Sequence, residues 1–472
     1  MERHYPRDNW RHRGDDDSER GQERWLVQGR GRGRGRAAEH DPNCFIVLHS
    51  REYEREAPLL PPPTVLGSFS VDKEKNIIFN NSMMPKLCEM YIPDGEFMEV
   101  DIDLKQGFER SSCCTGRSGE GERRRLQWIL HNQEKVRAKD SPDRLAADFV
   151  CSRSTLRKIM QAPYAHSRHF NAEWQIFAKY FKGTIYTTKV VPKQKKHNKG
   201  VRQEEGASQE EGVSQKGANQ EEGANQEEGA NQEGANQKEA NQEGGANQEE
   251  GANQEEEANP EAITKEKWAI YGERFEEYMT GGDPNGVLEG DCQFQCVLQL
   301  DLNGKSLLLS AHIDAADPTR HQEDFKDMNS FVRLKARKDS TYQLADCNYR
   351  RFVLNNWWIE NKLTGVPRLL VGKRNADGVV YTLQMLQTDD MPDLAQGTWE
   401  PSVCINILDE FLNFVKEKVV AEPDVVHCFK KSGPYSELRK IRHSIDPNLE
   451  DFLPDWYKEQ LFATLNGENN CS

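Results

Sequence analysis

Along the chain the apolar positions change period several times, and each change marks an element. Leu126, Ile129 and Leu130 fall at helical spacing within 122–136. Residues 143–160 read as a second helix, with Ser141-Pro142 supplying its cap and first turn. The stretch 172–191 turns strand-like after Gly183, and 268–280 reads as a helix. A hairpin follows: 296–302 and 305–314 are apolar runs joined by Asn303-Gly304, the strongest short hairpin signal. Residues 330–335 read as a short strand. An amphipathic helix then carries Trp357 and Trp358. Strands at 366–374 and 378–386 flank a turn at 375–377, and a helix at 402–420 and the segment 452–457 close the pattern. This alternation predicts an α/β (α+β) fold with a mixed sheet core, one domain built from 66–202 and 262–470.

The remaining segments carry no such pattern. Residues 1–65 hold Arg/Asp/Glu clusters, the Arg-Gly tract 29–36 and Pro61-Pro62-Pro63, which predicts a disordered tail. Arg-Gly tracts bind RNA through phosphate contacts and guanidinium stacking, and a solvated tail has the same composition. Residues 203–261 repeat GANQEE and its variants at a period of about six, without aromatics; this predicts a disordered acidic insert. The period fits neither a heptad nor a solenoid repeat.

Charge changes the picture once it is located. The 472 residues carry a formal net charge of −15, which argues against a general nucleic-acid binder. The insert alone, with 17 Glu against Lys216 and Lys238, accounts for all of it, and the rest of the chain is neutral. Before the insert lies a basic run, Lys189, Lys193, Lys195, Lys196, Lys199 and Arg202, which reads either as a nuclear localisation signal or as a solvated loop. No apolar run reaches the roughly 18–20 residues of a membrane span, and the polar N-terminus does not read as a secretory signal. The 11 cysteines lack zinc-ribbon or finger spacing and read as reduced thiols.

Two motifs bear on chemistry. Gly304-Lys305-Ser306 imitates a P-loop end, but Gln299 stands where its first Gly belongs and a strand follows, so it is rejected. The second unit is Asp314 at a strand end, followed by Arg333-Leu334-Lys335 on the next strand. Metal-dependent phosphodiesterases use an Asp and then an acid two residues before a Lys, the acids holding the cation and the Lys stabilising developing charge. Strand periodicity puts 333 and 335 on one face, and likewise 312 and 314. On spacing alone, a buried salt bridge from Asp314 to Arg333 or Lys335 is the stronger reading.

A set of separated motifs resembles the DXO decapping exoribonuclease family. Leu66-Gly-Ser-Phe-Ser resembles the family's opening strand. Arg153 in CSRSTLRKIMQAPY, Gly272-Glu-Arg-Phe-Glu276, Trp357-Trp358 with Gly365-Val366-Pro367, Arg374-Asn375 with Asp377-Gly378, Trp399-Glu-Pro-Ser-Val-Cys404 and Leu453-Pro-Asp-Trp-Tyr457 continue the series. The resemblance implies removal of defective or NAD caps from RNA 5′ ends and 5′→3′ degradation, with Mg²⁺ or Mn²⁺ held by carboxylates. It implies RNA 5′ ends as ligand, a 5′–3′ exoribonuclease as partner and a nuclear setting. Glu276 and Asp314 stand at metal-ligand positions, Lys335 at a catalytic and substrate-binding one, and the Leu334 carbonyl at a backbone metal position. Lys75, Glu122, Ser152, Arg153, Ser154, Cys296 and Glu360 fall at substrate-binding positions, Glu360 where the family has Gln.

The chain also departs from that pattern. His312 and Arg333 occupy two positions where the family has metal-binding carboxylates. An Arg about 5 Å from a dication is repelled by several kcal/mol even at an effective dielectric near 20. His312 suits Mn²⁺ or Zn²⁺ better than Mg²⁺, and an Arg is suited to hold a phosphate. Glu277 and Glu360 are the nearby acids available as replacement ligands. Two readings follow: an RNA 5′-end binder with impaired catalysis, or an active nuclease with a rearranged metal site. The phosphate-like charge density of the insert also suggests an acidic competitor for RNA. On that reading deletion of 203–261 raises RNA affinity, checked by fluorescence anisotropy across a salt series; unchanged affinity and salt dependence would reject it.

Overall fold

The centre of the fold is the hairpin that Asn303-Gly304 turns. Both residues have left-handed backbone, φ 49° and 74°, as a two-residue hairpin turn requires. In this computed structural model the described residues are 44–45, 50–106, 120–164, 174–190, 260–283, 286, 292–320, 327–339, 343–431, 438–442 and 453–463. The chain divides into two compact units, 1–192 with 267–472, and 193–266. Of the second unit only 260–266 are described. The acidic repeat and the lysines at 193–199 lie outside the described residues.

The strands are β1 (Cys44–Phe45), β2 (Thr64–Val71), β3 (Ile77–Ile78), β4 (Phe97–Asp103), β5 (Phe149–Ser152), β6 (Trp174–Phe181), β7 (Thr184–Val190), β8 (Gln293–Leu302), β9 (Lys305–His312), β10 (Ala315–Ala316), β11 (Phe331–Lys338), β12 (Arg368–Arg374), β13 (Val379–Gln387), β14 (His427–Lys431) and β15 (Leu438–Arg442). The longer helices are α1 (Glu120–His131), α2 (Arg153–Met160), α3 (Pro260–Met279), α4 (Asn355–Thr364), α5 (Pro401–Ala421) and α6 (Asp455–Gln460). One sheet runs β1-β15-β14-β6-β7-β5-β9-β8-β2-β3 and the other β10-β11-β12-β13-β4. Both are mixed: β5 pairs parallel with β7 and β9, and β11 parallel with β12, within otherwise antiparallel ladders. The α+β reading with a mixed core holds.

Side-chain alternation explains how the large sheet is covered on both faces. Leu307, Leu309 and Ala311 enter the central core with Cys296 and Leu298, while Leu308 and Val297 point to the opposite face, against Trp128 of α1 and Tyr457 of α6. The smaller sheet shares the central core through Phe331, Leu369 and Val371. Its other face, with Leu334 and Leu370, packs on Phe275 and Met279 of α3. Among the described residues no helix is long and apolar enough to cross a membrane.

Four sequence expectations change. Residues 143–148 are not helical; Phe149–Ser152 is a strand buried between β7 and β9, and the helix begins only at Arg153. Its N-cap is Ser152, whose Oγ accepts from the Thr155 amide, rather than Ser141. Strand structure precedes Gly183 as well as following it, because Lys182 and Gly183, at φ 45° and 80°, turn a hairpin between β6 and β7. The Trp357–Trp358 helix is buried nearly all round instead of amphipathic. Finally, order begins upstream of Leu66: a 3-10 turn at Ser50–Tyr53 places Tyr53 in the central core, where Asn406 of α5 donates to the Tyr53 and Arg55 carbonyls.

Gly372 of β12 sets the approach of α3. A Cβ at 372 would lie 2.4 Å from a Phe275 ring carbon. Gly372→Ala is therefore expected to lose about 1–3 kcal/mol by overpacking, read as a lower urea midpoint.

Candidate functional site

The chain passes from the large sheet to the small one at Ile313-Asp314, between β9 and β10. The Ile313 amide donates to the Phe294 carbonyl at 3.0 Å, which fixes the step. Asp317, just beyond, pairs with buried Arg368 and holds the same loop. Asp314 is thereby held, almost wholly buried, against β11.

Both Asp314 oxygens are occupied. Oδ1 accepts from Arg333 Nη1 at 2.8 Å, with His312 Nδ1 at 3.4 Å. Oδ2 accepts from the Leu334 amide at 3.0 Å and Lys335 Nζ at 3.1 Å. Strand periodicity delivers Arg333 and Lys335 together, as their spacing predicts. Arg333 is 2% exposed and donates also to the His312 carbonyl at 2.9 Å. Its Nη2 lies 3.5 Å from Glu360 Oε2. Lys335 Nζ lies 3.4 Å from Glu276 Oε1 on α3. Glu360, on α4 directly after a π-helical turn at Tyr349–Leu354, also pairs with Arg157 of α2.

The charges set one another. Burial pushes the Asp314 carboxyl up, but Lys335, His312 and the Leu334 amide outweigh it and hold the group well below the usual carboxylate range. Glu276 moves upward, through burial and then the Asp314 charge. Lys335 is raised despite burial because Asp314, Glu276 and Glu360 all favour its cation. Glu360 is lowered against burial by Arg153, Arg157 and Lys335.

The predicted residues thus separate into groups. Glu276, His312, Asp314, Arg333, Lys335 and Glu360 form one network, which Leu334 joins through its amide. Glu277 faces Arg274, at 2.7 Å. Ser152 and Ser154 form a hydroxyl pair 3.0 Å apart at the start of α2, with half-buried Arg153 between them. Glu122 lies on α1 and its charge acts on Lys189. Lys75 is exposed in the β2–β3 turn. Cys296 is fully buried in the central core, and burial raises its thiol to about 12. Arg157 joins the network through Glu360 although no motif marks it. Its signal is the i,i+4 spacing from Arg153, which puts both cations on one helical face toward Glu360.

Solved structures share this fold at low identity. Candida albicans Rai1 in complex with pU5-Mn2+ matches with TM-score 0.61 at 12% identity, covering 89% of this chain and 100% of that one. Scheffersomyces stipitis Rai1 in complex with (3'-NADP)+ and calcium ion matches with TM-score 0.61 at 11% identity, covering 87% and 99%. The class is that of the PD-(D/E)XK nucleases, enzymes that depend on divalent metal. The family model described as RAI1 like PD-(D/E)XK nuclease matches residues 61–250 and 231–458, and the chain belongs to that family. The human Decapping and exoribonuclease protein is 24% identical over 424 residues, 88% of this chain and 89% of its own length. The Drosophila melanogaster Decapping and exoribonuclease protein Rai1 is 23% identical over 433 residues, 87% and 94%.

Removing Arg333 would take away the cation shared by Asp314 and Glu360 and leave Lys335 and Arg157 as their remaining partners. Arg333→Met is expected to destabilise the fold by about 3–5 kcal/mol at pH 7. Asp314, depressed in the folded state, contributes stability above its unfolded value near 3.9 and loses it as pH falls further. The deficit of Arg333→Met should therefore shrink below about pH 4, measured by urea unfolding between pH 7 and 2.5.

Proposed function

We propose that this protein binds RNA 5′ ends at the Asp314–Arg333–Glu360 cluster and catalyses their cleavage poorly or not at all. The supporting observation is the position of Arg333. Its guanidinium lies between the buried carboxylates of Asp314 and Glu360, Lys335 lies between Asp314 and Glu276, and cations thus already meet both Asp314 oxygens. Among the described residues no three His, Cys, Asp or Glu side chains are grouped to hold a metal ion. The donor set does not fit Mg²⁺ or Mn²⁺, whose coordination requires several free oxygen ligands. The fixed cations suit an anion instead: Lys335 and the edge of His312, about one-third exposed, border the network.

NAD caps and 5′-phosphates are the proposed ligands, since relatives of this family are named for decapping. A protein that holds an end without cutting it leaves degradation to another, so a 5′–3′ exoribonuclease is the proposed partner. Nuclear residence is proposed on the basic run at 189–202.

Purified full-length protein is expected to retain NAD-capped and 5′-monophosphate RNA in a filter-binding assay. With Mg²⁺ or Mn²⁺ present, neither NAD nor mononucleotides should be released. Robust release that Asp314→Ala abolishes would assign an active nuclease with a rearranged metal site.

A further inference from the structure

The approach to β2 from the N-terminal side has a periodicity of its own. Residues 56–63 join no helix or sheet, and their exposure repeats every third residue. Glu56, Leu59 and Pro62 are exposed, Leu59 by 82%. Ala57 and Leu60 are half-buried, and Pro63 is buried. Leu60 packs against the central core. Pro63 lies against the end of α4, where a Cβ at Gly365 would come within 2.8 Å of its Cδ. Three residues per turn is the period of a polyproline helix, whose backbone needs no internal hydrogen bond. Pro58, Pro61, Pro62 and Pro63 favour that conformation by fixing φ.

The remaining edge carries Arg55, Pro58 and Pro61. Both prolines are half-buried, and Arg55 is exposed. Since the edge of Ala57, Leu60 and Pro63 is seated on the protein, this edge and the outward one are left for another surface. The segment is tied down just before it begins. Asn406 of α5 donates to the Tyr53 and Arg55 carbonyls at 2.9 and 3.0 Å. One turn along the same helix, Glu410 pairs with the Arg55 guanidinium. The two side chains are 52% and 32% exposed. An ion pair so exposed contributes little, so a carboxylate of another protein can take the place of Glu410 at small cost.

We infer that Arg55–Pro62 is a docking ligand for a protein domain of the SH3 type, whose aromatic-lined groove takes Pro58 and Pro61 and whose carboxylate takes Arg55. The position of Arg55 selects this class. It stands one turn before Pro58 on the same edge, so a partner must offer an acid in line with two proline pockets. Leu59 adds apolar contact beside that line. A segment already extended on the protein surface loses little entropy on docking. This surface shares no residue with the Asp314 cluster and does not depend on the 5′-end reading.

The test immobilises a panel of purified SH3 and WW domains and measures binding of the full-length protein by interferometry, with the melting temperature of each variant taken alongside. Wild type should bind at least one SH3 domain. Arg55→Gln should weaken that binding roughly tenfold, and Pro58→Ala/Pro61→Ala should abolish it. Glu410→Gln should strengthen it about two- to fivefold, because Arg55 is released to the partner. Lys135→Gln, which removes an exposed cation elsewhere, should leave it unchanged. If the double proline variant fails to fold, Arg55→Gln and Glu410→Gln decide, since each alters one side chain of a surface pair. Binding by no SH3 domain overturns the inference. So does binding that survives in a folded double proline variant, or that neither Arg55→Gln nor Glu410→Gln changes. Binding by WW domains alone, indifferent to Arg55, overturns it as well.

Discussion

A carboxylate almost without solvent must be met by positive charge, and Asp314 is such a carboxylate. The structure around it is an answer to that requirement. Arg333, Lys335 and the Leu334 amide come from one strand, and each reaches Asp314 because β11 alternates past it. Glu360 then answers the guanidinium, and Arg157 answers Glu360. Two sheets and three helices meet at this alternating line of charge. Burial makes every link matter more, because low dielectric strengthens pairs and penalises orphans alike.

The same line bears on chemistry. The strand-end acid Asp314 and Lys335 of β11 touch each other directly. A cation supplied by the protein differs from a bound metal in being permanent. It polarises no exchangeable water, since a guanidinium holds its proton and has no open coordination position. What persists is a fixed set of paired charges, Arg333, Lys335 and Arg157 against Asp314, Glu276 and Glu360.

The central hairpin, the long helix at 401–421 and the paired strands around 375–377 are legible from local signals, because turn chemistry and apolar period both act over a few residues. The Asp314–Arg333 contact is legible too, from a period-two strand and two opposite charges. The strand at 149–152 is not: three buried residues, Phe149, Val150 and Cys151, beside a helix share that helix's apolar character, and only pairing with β7 and β9 separates them. Burial of Cys296 depends on which face of the large sheet enters the central core, a tertiary fact. The Arg157–Glu360 pair joins residues 203 positions apart, beyond any local signal.

Tyr53 places a condition on how this chain can fold as it is made. Its partners lie on α5, and the hydrogen bond from Asn406 spans 353 residues. Synthesis delivers the N-terminal segment first, but the helix that receives it leaves the ribosome only after most of the chain. The Tyr53 ring therefore has no complete core to enter during most of translation. Docking of the first part of the fold is among the last events in its assembly.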